Sequence, residues 1–234
     1  MIAPHTVTGV VLRVDGVCVR RGNRWPLREI TIEVAAGEAL GVLGPRASGK
    51  TALLDVISGF LRPERGHVVL DGENITRWPA YRIARAGVAR SFQAAPQLDG
   101  AAVRDAVLAA AVGRGLSAME RRESVEEALA MTGLDAIEHR STASLRPVER
   151  RLLCFARVAA AAPRLALLDE PLAGLPAADG GRIVSALRRL SAHGIALVVT
   201  AHDPASLRIL CSRAVLLLGG RISGGGRPSD LDHA

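Results

Sequence analysis

Apolar residues follow two kinds of pattern along this chain. Toward the N-terminus they form short runs at β spacing, over residues 11–19, 27–34, 39–43 and 67–70, the last closed by an Asp71-Gly72 turn. This start predicts a mainly antiparallel sheet beside one further strand. Over residues 101–132 the spacing changes to three and four, as in Val103, Val107 and Ala110 and again in Val125 and Leu129, with charged residues between, which predicts helices. Leu165–Leu168 and residues 195–200 are unbroken apolar runs of the sort buried on both faces of a parallel sheet, and residues 181–192 between them read as a helix. Together these elements predict an α/β core over residues 1–93 and 158–234, carrying an antiparallel β subdomain and interrupted by an α-helical subdomain over residues 94–157. Residues 223–234, with Gly, Pro and Asp and no apolar period, read as a loose tail.

Composition narrows the class. A chain of 234 residues buries a sizeable core and reads as a single domain. Its longest apolar runs fall far short of the roughly 18 residues that cross a bilayer. Residues 1–8 carry neither the basic nor the apolar part of a secretory signal, so the expectation is a cytoplasmic protein. Cys18, Cys154 and Cys211 lack metal-ligand spacing and read as small buried hydrophobes. A formal net charge of +7 raises nucleic acid or an anionic membrane as partner, but the arginines are dispersed. Aromatic residues for base stacking are few: Trp25, Phe60, Trp78, Tyr81, Phe92 and Phe155. A solvated basic surface, with no nucleic-acid partner, is the reading that follows. Among 30 lysine and arginine residues, lysine occurs once, at Lys50.

That lysine lies in the strongest motif. Gly44-Pro45-Arg46-Ala47-Ser48-Gly49-Lys50-Thr51 fits G-x-x-x-x-G-K-[ST], follows the apolar strand 39–43 and precedes a helical run over residues 52–60. Glycines let such a loop curl so that its N–H groups point inward, and the following helix N-terminus adds positive potential, so a polyphosphate fits there. Lys50 is placed to reach the β- and γ-phosphates of ATP, and Thr51 to offer its hydroxyl to Mg²⁺. The bland reading, a Gly-rich turn with a surface lysine, does not account for strand, loop and helix in that order.

A second element is acidic. The apolar strand Leu165–Leu168 ends in Asp169-Glu170-Pro171. Two carboxylates after a strand are common in exposed turns, but beside a P-loop Asp169 can hold Mg²⁺ through water and Glu170 can polarise the water that attacks the γ-phosphate. His202, just after the apolar run 195–200, stands at a third strand end.

With these motifs in order, and with Arg90-Ser91-Phe92-Gln93 and Thr200-Ala201-His202-Asp203 between and after them, the sequence resembles the ATP-binding subunits of ABC transporters over nearly its whole length. The segments GVARSFQ, the Gly-Pro start of the P-loop, Ile57-Ser58-Gly59-Phe60 and DEPLAGL resemble the branched-chain amino-acid importer branch. The resemblance implies a RecA-like P-loop NTPase fold that hydrolyses ATP with Mg²⁺ and sits on the inner face of the cell membrane against transmembrane permease subunits. It also implies that Gln93 ligates Mg²⁺ and follows the permease, and that His202 holds the γ-phosphate.

The departures from that family bear on mechanism. Alignment back from Arg157 and the LALLDEP strand places the LSGGQ signature on Leu145-Arg146-Pro147-Val148-Glu149, where only the leucine is retained. In the family this segment grips the γ-phosphate bound to the other subunit of a head-to-tail dimer. Here Arg146 replaces the serine, Pro147 offers no N–H and Val148 is branched where close backbone approach is needed. Pro176 replaces the usual Asp or Asn of the following loop, Arg21 stands where an aromatic stacks on adenine, and Ala52 replaces a hydroxyl residue. A complete hydrolytic half-site beside a degenerate signature implies a heterodimer with a second ATPase subunit whose signature is intact. The alternative is a weakly hydrolysing ATP-dependent clamp. A DNA-repair ATPase lacks support because no long heptad-bearing insertion separates the P-loop from the LALLDEP strand. A small-molecule kinase accounts for neither Gln93 nor His202.

Overall fold

A computed structural model describes residues 9–91, 100–112 and 117–231. In chain order the elements are β1 (Val10–Arg21), β2 (Arg24–Ala35), β3 (Ala39–Leu43), α1 (Lys50–Ile57), β4 (Arg65–Leu70), β5 (Glu73–Asn74), α2 (Ala80–Arg85) and β6 (Val88–Ser91). Then follow α3 (Val103–Ala111), α4 (Ala118–Thr132), α5 (Pro147–Ala160), β7 (Leu165–Leu168), α6 (Ala177–Ala192), β8 (Ala196–Ala201), α7 (Pro204–Arg208), β9 (Arg213–Leu218) and β10 (Arg221–Gly226). Two sheets form: an antiparallel one in the order β2-β1-β4-β5 and a larger one in the order β10-β9-β3-β8-β7-β6. In the larger sheet every pairing is parallel except β10 with β9.

The unbroken apolar runs make sense once both faces of the larger sheet are followed. Side chains alternate across a strand. Leu40, Val42, Leu165, Leu167, Val198 and Leu217 join one core with α1 and the antiparallel sheet. Their neighbours Ala39, Leu43, Ala166, Leu168, Leu197, Val199 and Leu216 join a second core with α3, α4, α5 and α6. Each strand therefore feeds two cores, which is why it carries no polar alternation. Phe155 on α5, 1% exposed, is the largest fully buried side chain among the described residues; truncating such a residue to alanine costs about 3–5 kcal/mol.

Local signals set the helix ends. Ser117 and Glu120 form a reciprocal capping box at α4: Ser117 N–H donates to Glu120 Oε2 at 2.8 Å and Glu120 N–H to Ser117 Oγ at 3.3 Å. Gly133, with φ 67°, closes the same helix.

Two expectations are corrected. The tail is not loose as far as it is described: Arg221–Gly226 pairs antiparallel with β9, and Pro228–Leu231 forms a 3-10 turn that buries Leu231. The glycines hid this strand because its partner is recognised by backbone hydrogen bonds and not by apolar side chains; a Cβ on Gly225 would stand only 3.5 Å from Val215. The helix expected over residues 181–192 begins at Ala177, since Gly180-Gly181, which reads as a break, continues the helix. Helix α5 runs Pro147–Ala160 and spans residues 157 and 158. No described helix is long and apolar enough to cross a membrane. Cys18 and Cys211 are buried and Cys154 half-buried, all three as free thiols.

Candidate functional site

The sheet order decides where the chemistry gathers. Strands β3, β8 and β7 are neighbours and parallel, so the segments leaving their C-terminal ends lie side by side. Those segments carry the P-loop, His202, and Asp169 with Glu170, in that order across the sheet.

The P-loop is built by close backbone approach. A Cβ on Gly44 would lie 2.4 Å from the Leu217 carbonyl and 2.6 Å from Ser48 Oγ, and one on Gly49, at φ 113°, would lie 2.3 Å from the Pro26 carbonyl. Ala47 also takes a left-handed φ of 61°. Gly44 N–H donates to the Ala201 carbonyl and Gly220 N–H to the Ser48 carbonyl, both at 3.1 Å, which fastens the loop to β8 and to the turn between β9 and β10. Pro45, Arg46 and Ala47 are exposed, Ser48 is buried, and the Ala52 methyl packs against the core shared with the antiparallel sheet, leaving only its backbone to face a ligand.

Lys50 opens α1 and is 6% exposed. Its ammonium donates to the carbonyls of Gly44 at 2.6 Å and Pro45 at 2.9 Å and lies 3.8 Å from Glu170 Oε1. Burial pulls the Lys50 pKa below its ordinary 10.5 even though the Glu170 and Asp169 carboxylates act to raise it. Added negative charge at this point would relieve that cost, as a polyphosphate provides.

Thr200, fully buried near the end of β8, organises the acidic pair. Its hydroxyl donates to Asp169 Oδ1 at 2.7 Å and accepts the Glu170 N–H at 2.9 Å. The other Asp169 oxygen, Oδ2, accepts from the Thr51 hydroxyl at 3.4 Å. His202 Nδ1 stands 3.5 Å from Glu170 Oε2. Glu170 itself has φ 46°, a conformation side-chain-bearing residues seldom take.

A hydroxyl and a carboxylate meeting at the foot of the P-loop are hard oxygen donors of the kind Mg²⁺ accepts alongside phosphate oxygens and water. Among the described residues no set of three or more His, Cys, Asp or Glu side chains forms a metal cage. Gln93 lies outside the described residues.

The expected signature forms the start of α5. Arg146 is the N-cap and Pro147 the first helical residue. Glu149, 3% exposed, folds back: its Oε2 accepts the Arg146 N–H at 2.9 Å, while Oε1 accepts from Arg146 Nη2 at 2.8 Å and Nε at 3.0 Å. Arg140 approaches the same Oε1 at 3.7 Å. Burial acts to raise the Glu149 pKa, but the Arg146 hydrogen bonds and charge outweigh it and hold the carboxyl below its ordinary 4.5.

Thus the structure brings together residues 44–51, Asp169, Glu170 and His202, and sets residues 145–149 apart as a self-paired helix start. Arg151, which binds the turn after Glu170, was not singled out by the sequence, and Thr200 entered only within the segment 200–203, with no role of its own. The one available signal was a hydroxyl inside an apolar run two residues before His202; nothing marked Arg151 among its neighbours. Trp25 approaches the turn between β9 and β10 with its backbone: a Cβ on Gly220 would lie 2.6 Å from the Trp25 carbonyl. Its ring packs 5.7 Å from the Arg20 guanidinium. A groove of about 720 Å³ beside α3 and α4, lined by Arg104, Leu108, Arg121, Val125 and Glu138, shares no residue with the cluster.

Comparison with known proteins agrees with the geometry. The family model described as "ABC transporter" matches residues 27–173. The lipopolysaccharide export system ATP-binding protein LptB of Acidithiobacillus ferridurans is 35% identical over 209 residues, covering 89% of this chain and 87% of its own length. The cobalt import ATP-binding protein CbiO of Rhodobacter capsulatus is 34% identical over 203 residues, covering 84% of this chain and 71% of its own. Among solved structures, the ADP conformation of MJ1267, an ATP-binding cassette of an ABC transporter, superposes with a TM-score of 0.86 at 24% identity, covering 94% of this chain and 92% of that one. By these matches the chain belongs to the ABC transporter family, as one of its ATP-binding cassettes, the ATPases that power transport.

Proposed function

We propose that this chain is the ATP-hydrolysing subunit of a membrane ABC importer, working on the inner face of the cell membrane against permease subunits and beside a second, different ATPase subunit. The observation that carries the reading is the convergence of Lys50, Thr51, Asp169, Glu170 and His202 at the ends of three adjacent parallel strands.

In this reading the P-loop amides and Lys50 hold the β- and γ-phosphates of ATP. Thr51 and Asp169 hold Mg²⁺ together with Gln93, and the cation supplies charge neutralisation at the phosphates when bound. Glu170 accepts a proton from the attacking water, and His202, tied to Glu170, contacts the γ-phosphate. The cargo we assign is branched-chain amino acids or a similar small polar solute, on the likeness of GVARSFQ and DEPLAGL to that branch. The Gly-Pro start of the P-loop and Ile57-Ser58-Gly59-Phe60 add to that likeness, while the relatives above are named for other cargoes.

Calorimetry with Mg-ATP and a turnover assay test the core of this reading. Lys50→Ala should abolish most ATP binding, because the buried ammonium shares the phosphate charge. Glu170→Gln should bind ATP as the parent does and hydrolyse it slowly. Equal ATP affinity in the Lys50 variant would end the proposal. The cargo is tested separately, by leucine uptake into vesicles carrying the reconstituted transporter.

A second reading, a clamp that binds ATP and turns over little, draws support from the self-paired Arg146 and Glu149. It predicts that no partner subunit raises the rate.

A further inference from the structure

Glu170 takes a left-handed backbone conformation, φ 46°, at the turn that aims its carboxylate. Such strain persists only where surrounding groups over-determine it. On the N-terminal side the restraint is the Thr200 hydroxyl, which accepts the Glu170 N–H. On the C-terminal side it is one arginine. Arg151 Nη1 donates to the carbonyls of Glu170 at 3.1 Å and Pro171 at 3.0 Å, and Nη2 donates to the Ala173 carbonyl at 3.3 Å. The turn is closed on itself by the Ala173 N–H, which donates to the same Glu170 carbonyl at 3.1 Å.

Three carbonyls converging on one guanidinium is a specific arrangement. The planar fork reaches separate acceptors at once, and its charge strengthens each bond; an ammonium donates from a single point. Arg151 also belongs to α5, the helix that begins at Pro147 with Arg146 as its N-cap. The turn that carries Glu170 is therefore fastened to the same rigid helix as residues 146–149, and the two cannot shift independently while Arg151 holds.

We propose that Arg151 is a positioning residue for hydrolysis: it touches no reacting atom, but by gripping the turn at residues 170–173 it fixes the aim of the Glu170 carboxylate and couples that aim to the seating of α5. The inference rests on the hydrolytic role of Glu170 proposed above.

The test uses the full chain with enzyme in excess over Mg-ATP, so that slow hydrolysis is read in a single turnover, together with calorimetric ATP affinity and hydrogen exchange at the Ala173 amide. Arg151→Ala should slow the single turnover at least about tenfold, leave ATP affinity within about twofold and speed Ala173 exchange. Arg151→Lys should recover part of the rate. In a Glu170→Gln background, Arg151→Ala should cost nothing further, because its effect runs through that carboxylate. If Arg151→Ala does not fold, Arg151→Lys carries the same comparison, with a smaller loss that also vanishes in the Glu170→Gln background. An unchanged rate, an equal loss in both backgrounds, or a matching loss of ATP affinity would each overturn the proposal. If instead Glu170→Gln hydrolyses at the parent rate, the role assigned to Glu170 fails, and with it the hydrolytic consequence; the exchange at Ala173 still reports whether the grip exists.

Discussion

The Thr200 hydroxyl donates to Asp169 Oδ1 at 2.7 Å from the strand that separates the P-loop strand from the acidic one. Because the same oxygen accepts the Glu170 N–H, one buried side chain sets the spacing of both carboxylates from the P-loop. Replacing it by an isosteric valine leaves an acceptor and a donor without partners. We predict that Thr200→Val loses about 1–3 kcal/mol of stability and slows ATP hydrolysis, while Thr200→Ser keeps most of both. Urea unfolding and turnover measured on the two variants check this; an unaffected valine variant would mean that the hydroxyl is dispensable.

Glu149 makes part of the stability dependent on acid pH. Its carboxyl is held below the ordinary 4.5 in the folded chain: burial opposes ionisation, but Arg146, and more weakly Arg140, favour it. A carboxyl with a depressed folded pKa contributes stability that is present above its unfolded value and lost as pH falls through the folded one. Wild-type stability should therefore drop below about pH 4.5 more steeply than that of Glu149→Gln. Asp203 and Glu120 are also held below their ordinary values, by hydrogen bonds from Ala205 and Ser206 and from Ser117, so the difference between the two proteins, followed by urea midpoints from about pH 6 to 3, is the quantity to read. Parallel curves would show that Glu149 does not contribute.

Helix α6 contains a correctable weakness. Gly181 lies in its interior, and a Cβ there meets no atom within 4 Å. Gly181→Ala should stabilise by about 0.5–1 kcal/mol through reduced unfolded-state entropy and raise the thermal midpoint by about 1–4 °C. Calorimetry decides; a lower midpoint would show that the first turns of α6 need the glycine.

What the sequence disclosed and what it hid follow from range. Residues 44–51 and Asp169-Glu170 were legible because a strand, a phosphate loop and a helix are local, and because apolar runs buried on both faces announce a parallel sheet. The role of Thr200 was not legible, since it depends on β8 lying between β3 and β7, a fact of sheet order. Arg151 was hidden among the surrounding arginines of α5; its meaning comes from a contact with carbonyls about twenty positions away. Strand β10 escaped because glycines pair by backbone alone. The N-terminal extension of α6 escaped because Gly180-Gly181 imitates a break.

The start of α5 supports the most demanding prediction. An anion at a helix N-terminus needs free N–H groups and local positive potential. Here Pro147 has no N–H, the Arg146 N–H is taken by Glu149, and the Glu149 carboxylate already engages the Arg146 guanidinium through two bonds. Residues 145–149 should thus be a poor clamp for a γ-phosphate bound to another subunit, and a dimer of this chain alone would hold two such sites. The isolated chain should therefore bind ATP and hydrolyse it slowly. Adding a partner cassette with an intact LSGGQ segment should raise the rate at least about tenfold, since the partner completes the site built on Lys50 and Glu170. That gain should vanish in Glu170→Gln, whose carboxylate faces the completed site, and largely persist in Arg146→Ala, which belongs to the other one. Fast hydrolysis by the chain alone, or collapse of the heterodimer rate in Arg146→Ala, would show that the self-paired helix start opens to grip phosphate and that the two sites are not divided in this way.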